Sequence, residues 1–236
     1  TYPHFKERSR SRIVYSTDSM KTALHTETAY SFNGSTLKLE AWIEYAKSQE
    51  TKVLALTDYT MHAAIRFKNL CKHKDIIPLF GLHLKVEPLF NGTAIHCLAF
   101  ARSNEGYKNL LKLASLNSLR DTISLAQLTH YQVGISIILI PYLGELNHLI
   151  KTAQKQSVHA VTQEFNEQLS HCFVGLHPGI DFTFNQIKKI PLLYTKALKE
   201  EDAQVTHTLK KIFNIQTEDN VPFTYHDDQV FTDHFN

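Results

Sequence analysis

The chain has 236 residues, 43% of them apolar and 20% charged, with a formal net charge of +2. That length and balance suit one large α/β domain or two small ones, with an ordinary packed core. So small a surplus of cations does not mark a phosphate-tracking surface, so any nucleic-acid contact has to be argued from local residues.

Cys71, Cys97 and Cys172 are odd in number, lack a C-x-x-C spacing and lie in or beside apolar runs. This usage points to reduced, buried thiols and a cytoplasmic setting. No window approaches the roughly 18 uninterrupted apolar residues of a membrane span, and no membrane partner is expected. The opening carries Lys6, Arg8, Arg10 and Arg12 with no apolar stretch behind them, which argues against a secretory signal. Met20 reads as a natural start, with residues 1–19 as a leader or expression extension.

The first strand falls in Leu24-His25-Thr26-Glu27, where the i, i+2 spacing turns His25 and Glu27 to the same side. Asn33-Gly34-Ser35 makes a turn, after which Leu39, Trp42, Ile43 and Ala46 recur as one face of an amphipathic helix. Lys52 to Thr57 is a strand ending in Thr57-Asp58-Tyr59, and Ile65, Phe67, Leu70 and Cys71 mark the next helix. A strand from Ile76 to Val86 is interrupted by Gly81, and Phe90-Asn91-Gly92 turns it as a hairpin into Thr93 to Ala101. Asn104-Glu105-Gly106-Tyr107 opens a helix that buries Leu110, Leu111, Leu113 and Ala114. Gly134 to Ile140 is a near-continuous apolar strand, as a sheet covered on both faces requires. Cys172 to Leu176 and Ile190 to Tyr194 are two more strands, Glu200 to Phe213 is the last helix, and the chain turns polar and acidic from Gln216. At least six strands alternating with helices, without a Gly/Ser-rich linker, predict one α/β domain, either a closed barrel or an open doubly wound sheet. The lack of a Gly-x-Gly-x-x-Gly after a strand weakens the dinucleotide-binding version of the open sheet.

His25 and Glu27 follow the first strand, Asp58 follows the second, and His83 and His96 lie in the next two. In a parallel barrel functional residues gather at the carboxyl ends of the strands. Five such N/O ligands suit zinc, manganese or iron, ions that activate water for phosphoester hydrolysis. Plainer roles stay open: Asp58 suits a helix N-cap, and His83 and His96 suit hydrogen-bonded core positions. Lys108, Lys112, Lys188, Lys189, Lys210 and Lys211 are scattered, as on solvated helix faces. With no Gly-x-Ser-x-Gly elbow and no phosphate-binding Gly-rich loop, nucleophilic and nucleotide-hydrolysing classes drop out.

The order of blocks is informative: Leu24-His25-x-Glu27-Thr28-x-Tyr30-Ser31, Ala55-Leu56-Thr57-Asp58, Ile77-Pro78-Leu79-Phe80-Gly81, and His96-x-Leu98-x-Phe100-Ala101-Arg102-x-Asn104-Glu105-Gly106-Tyr107-x-Asn109-Leu110. With Gly144-Glu145-Leu146 and Glu201-Asp202-Ala203, this series resembles the polymerase and histidinol phosphatase (PHP) domain at the N-terminus of bacterial DNA polymerase III alpha subunits, of the Gram-positive type. The resemblance implies a distorted (β/α)7 TIM-like barrel over residues 20–215, with 216–236 as a connection to the rest of a polymerase. Intact members gather nine ligands around up to three metals. His25, Asp58 and His96 match ligand positions, Glu27 stands where the family has a second His, and His83 where it has Glu. Gly34 stands in place of an Asp, Tyr59 and Gly179 each in place of a His, and no Asp, Asn or His occurs from Ile190 to Glu200, where a late Asn-Asp-x-His block is expected. The resemblance thus implies an eroded site, holding at most one weak zinc or manganese ion and no catalytic residue. It implies a scaffold inside a replicative polymerase, whose partners are the rest of that subunit, DNA through it, and in some relatives a proofreading exonuclease. The alternative is a metal-dependent phosphoesterase or 3'-5' exonuclease using a residual site.

Overall fold

A computed structural model describes residues 23–31, 35–90, 92–177 and 180–198. The leader, the turn residues Asn33, Gly34 and Asn91, Gly179, the helix expected at 200–213 and the acidic tail lie outside the described residues.

The chain runs β1 (His25–Thr26), α1 (Leu39–Ser48), β2 (Val53–Leu56), α2 (Ala64–His73), β3 (Ile77–Val86), β4 (Ile95–Ala101), α3 (Asn104–Leu119), α4 (Leu125–His130), β5 (Ile135–Leu139), α5 (Gly144–Lys151), α6 (Lys155–Gln168), β6 (Cys172–Leu176), β7 (Lys188–Pro191) and β8 (Tyr194–Thr195). Six strands form one sheet in the order β2-β3-β4-β5-β6-β7. Parallel pairs flank an antiparallel centre, because β4 runs against both β3 and β5. The hairpin expected between β3 and β4 is thus present, residues 87–94 being too few for a crossover helix, and among the described residues no helix separates β6, β7 and β8.

β1 closes the sheet into a distorted TIM-like barrel. On one side it pairs in parallel with β8. On the other it meets the end of β2, where Thr57 N–H donates to the Thr26 carbonyl at 2.9 Å and Thr26 N–H donates to Thr57 Oγ1 at 2.8 Å. β7 and β8 are two halves of one stave, split at Leu192 and Leu193, so the single strand expected over Ile190 to Tyr194 is corrected to two short ones. Leu192 N–H still reaches the Leu176 carbonyl, and the Leu193 carbonyl accepts from His25 N–H.

Strand alternation sorts side chains into two apolar layers. Leu82, Leu84, Cys97, Ala99, Ile137 and Val174 face the helices, joined by Trp42, Phe67, Leu110 and Phe165. Ala55, Leu98, Phe100, Ile138, Ile140 and Leu192 fill the barrel interior. The buried face of α1 is Leu39, Trp42, Ile43 and Ala46, as its periodicity requires. In α2 the buried residues are Ala64, Phe67 and Cys71, whereas Ile65 is 72% exposed. Gly81 does not interrupt β3. It is there for space, since a Cβ would lie 2.7 Å from Thr57 Cγ2 and 2.8 Å from Phe100 Cε1.

The sequence block around Gly106 is explained by packing. Ser103 caps α3 by accepting from Gly106 N–H at 3.0 Å, and Asn109 Nδ2 donates to the Val133 carbonyl at 3.0 Å. The helix lies so close to the loop before β5 that a Cβ on Gly106 would sit 1.9 Å from the Gly134 carbonyl oxygen. Gly134 itself has a φ of +72°, which favours glycine. The Gly144-Glu145 block pins the β3–β4 hairpin in a similar way: the buried Glu145 carboxylate accepts from Leu89 N–H at 2.8 Å and Phe90 N–H at 2.6 Å.

The three cysteines are free thiols, all buried. Burial pushes the Cys71 and Cys172 thiols up to about 12 and raises that of Cys97 as well, so none is poised to ionise near neutral pH. No helix among the described residues is long and apolar enough to cross a membrane.

Candidate functional site

Above the apolar filling, at the end of the barrel where β1 closes the ring, polar side chains replace Leu and Ile. His25 and Glu27 come from the β1 edge, held in register by His25 N–H to the Leu193 carbonyl and Glu27 N–H to the Thr195 carbonyl. His83 projects from β3 and His96 from β4. His96 lies at the start of its strand rather than the carboxyl end expected in a parallel barrel. Because β4 is antiparallel, its beginning lies beside the end of β3, with Lys85 opposite His96.

Glu27 is the hub. His25 Nε2 lies 3.2 Å and His83 Nδ1 3.0 Å from its Oε1. His83 Nε2 lies 2.9 Å from His96 Nδ1, and His25 Nδ1 lies 2.7 Å from the Tyr142 hydroxyl. One set of tautomers serves these four contacts and leaves His25 Nε2 and His83 Nδ1, 3.3 Å apart, as two donors sharing one acceptor. Tyr142 O–H donates to His25 Nδ1, His25 Nε2–H and His83 Nδ1–H both donate to Glu27 Oε1, and His96 Nδ1–H donates to His83 Nε2. That set leaves every imidazole neutral, and burial agrees with it. Burial lowers the His25 pKa to about 3, and it lowers those of His83 and His96 too, with the neighbouring His83 and Lys85 adding to the effect at His96.

The other carboxylate oxygen faces a cation that belongs to the chain. Lys196 Nζ lies 2.9 Å from Glu27 Oε2, with both side chains almost wholly withdrawn from solvent. The contact is an ion pair without hydrogen-bond alignment, which leaves Glu27 Oε2 with a Coulombic partner but no directional one. Burial pushes the Glu27 carboxyl upward, but the Lys196 charge and the two histidine hydrogen bonds outweigh it and hold the group well below its usual range. Ser35 Oγ, 2.6 Å from the Glu27 carbonyl and 3.0 Å from the Lys196 carbonyl, ties the two backbones together. Aromatic rings wall the cluster: Tyr194 stacks on His25 at 3.9 Å between centroids and Tyr59 on His83 at 4.2 Å. Lys196 Nζ also sits 4.8 Å from the Tyr194 ring centre.

Among the described residues, His25, Glu27 and His83 are the group whose ligand atoms all fall within 4.8 Å of one another. His96 joins at one remove, through His83. Asp58 stands apart. Its oxygens accept from Thr28 N–H at 2.6 Å, Thr28 Oγ1 at 2.7 Å and Ser31 Oγ at 2.6 Å, so it fastens the segment after β1 to the end of β2. Nor does it cap the following helix, whose N-cap position is Ala63. Burial raises the Asp58 pKa against the pull of those hydrogen bonds.

Sequence reasoning passed over Lys196, Tyr142, Tyr194 and His177, a buried residue whose ring lies 4.5 Å from that of Tyr142. For Lys196 a signal was present. The segment after Ile190 has no anionic or imidazole ligand before Glu200, but it does carry a lysine amid apolar residues.

The PHP domain pattern matches residues 23–176, and the chain belongs to the PHP-domain family. Curated relatives place the likeness more narrowly. The chain is 30% identical to the DNA polymerase III subunit alpha of Halalkalibacterium halodurans over 126 residues, 51% of this chain and 11% of that protein. It is 25% identical to the DNA polymerase III subunit alpha of Mycoplasma pneumoniae over 202 residues, 86% of this chain and 20% of that protein. The chain thus spans between about a tenth and a fifth of these relatives' length. Among solved structures, an amidohydrolase from Chromobacterium violaceum matches 66% of this chain and 76% of its own, with a TM-score of 0.48 and 11% identity.

Proposed function

We propose that this chain is the PHP domain of a DNA polymerase III alpha-type protein and serves there as a structural domain without hydrolytic activity of its own. The observation that carries the reading is the short supply of ligands. Three side chains converge among the described residues, and the nearby carboxylate that could have bridged a second ion, Asp58, is committed to Thr28 and Ser31. Hydrolysis by a metal cluster needs charge count and geometry together, and this set offers neither. In this reading the partners are the remainder of an alpha-type subunit, DNA through that subunit, and a proofreading exonuclease or another replication protein docked on the domain, in the cytoplasm.

A second reading, a residual metal-dependent phosphoesterase or 3'-5' exonuclease, draws on the convergence of His25, Glu27 and His83. The two are separated by incubating the whole chain, with added zinc or manganese, with bis(p-nitrophenyl) phosphate and with a primer carrying a 3' mismatch. The structural reading expects no turnover beyond that of a His25→Ala variant. Turnover that this substitution abolishes would replace it with the second.

A further inference from the structure

We propose that Lys196 is the resident cation of this site, holding the charge position against Glu27 from which it excludes a divalent metal, and that His25, Glu27 and His83, with His96 behind His83, form a latent one-ion site that its removal opens. The inference rests on the structural reading above and explains it at one residue.

Three observations carry it. The first is occupancy: Lys196 Nζ already lies 2.9 Å from Glu27 Oε2, so an ammonium fills the place beside the carboxylate where an ion would sit. The second is saturation of donors. His25 and His83 each use both ring nitrogens in side-chain hydrogen bonds, and Glu27 Oε1 serves two of them, so no lone pair among these atoms faces an ion. As they stand, the residues do not fit a metal. The third is that Lys196 is built in, not draped over. It is 7% exposed, its ammonium lies 4.8 Å from the centre of the Tyr194 ring, and its backbone is tied through Ser35 to that of Glu27.

Without the ammonium, Glu27 would be a carboxylate in a dry site, beside histidines whose other tautomers present nitrogen lone pairs. Imidazole and carboxylate are ordinary ligands for zinc and cobalt. A like charge a few ångströms away opposes a divalent ion strongly at the effective dielectric of a protein site, so removing it is expected to tighten binding by at least about a hundredfold.

The test is titration of the whole chain with Co²⁺, read from the visible d–d absorption, and of its Lys196→Met variant, which keeps the length of the stem but not the charge. The wild type should stay colourless, Lys196→Met should bind one ion that Zn²⁺ displaces, and Lys196→Met with His25→Ala should lose it. Lys196→Arg, which keeps the charge, should behave as the wild type. Should Lys196→Met fail to fold, Zn²⁺ is expected to restore its circular dichroism, because an ion that binds only the native state drives folding. A Lys196→Met chain that takes up no cobalt, or stays unfolded at millimolar Zn²⁺, would overturn the inference, as would a wild type that binds as tightly as the variant. A metal-free Lys196→Met beside an inactive wild type would sink this inference alone, whereas hydrolysis by the wild type would sink the structural reading.

Discussion

Lys196 Nζ and Glu27 Oε2 face each other across 2.9 Å in a space closed to solvent, one at the β8 edge and the other at the β1 edge of the seam that closes the barrel. Removing one partner of a buried pair strands the other charge, at a cost of about 3–5 kcal/mol, whereas removing both is often close to neutral. Urea unfolding should therefore show Lys196→Met less stable by roughly that amount in metal-free buffer, with most of the loss recovered in Glu27→Gln/Lys196→Met. A single variant as stable as the wild type would mean that the pair does not hold the seam.

Asp58 tests the difference between a ligand and a staple. Asp58→Ala leaves buried donors on Thr28 and Ser31 without their acceptor, at about 1–3 kcal/mol for each one that water cannot reach. Thermal unfolding should register that loss, while Co²⁺ uptake by Lys196→Met should be the same with Asp58→Ala added. Loss of cobalt binding on adding Asp58→Ala would make Asp58 a ligand after all.

Gly106→Ala puts a Cβ 1.9 Å from the Gly134 carbonyl oxygen, where a helix backbone meets a loop backbone and no flexible side chain can yield. Overpacking of this kind costs about 1–3 kcal/mol or more. Chemical denaturation should show it, and hydrogen exchange should show the amides at the start of α3 opening first.

Acid should weaken the fold before its carboxylates are neutralised. Burial lowers the pKa of His25 to about 3 and of His177 to about 4, against 6.5 for an unhindered imidazole. A depressed folded-state pKa means that the unfolded chain binds protons first as pH falls. Each residue's contribution is therefore intact above about pH 6.5 and is lost on acidification, at about 1.4 kcal/mol per pH unit, down to its folded value. The unfolding free energy should fall between pH 6.5 and 4, and His177→Phe should flatten that slope. An unchanged slope in the variant would remove His177 from this account.

Much of the fold was legible because it rests on periodicity. Trp42 and Ile43 sit on the face their spacing demands, and β3 and β4 pair as the two antiparallel strands of the expected hairpin. The pattern did not show that Ile190 to Tyr194 splits into β7 and β8, because the apolar run continues across Leu192 and Leu193. In the site, the i, i+2 rule brought His25 and Glu27 together, as observed. Lys196 escaped because it lies 169 positions along the chain from Glu27 and because metal ligands are anions and imidazoles, not a cation in their place.

The most direct test of the central claim, a PHP domain whose buried centre has no place for catalytic metals, is elemental analysis of the full wild-type chain after equilibration with zinc and manganese and removal of free ions. The account expects far less than one metal per chain, and the same result for His25→Ala. Two or more ions per wild-type chain, lost in His25→Ala, would contradict it.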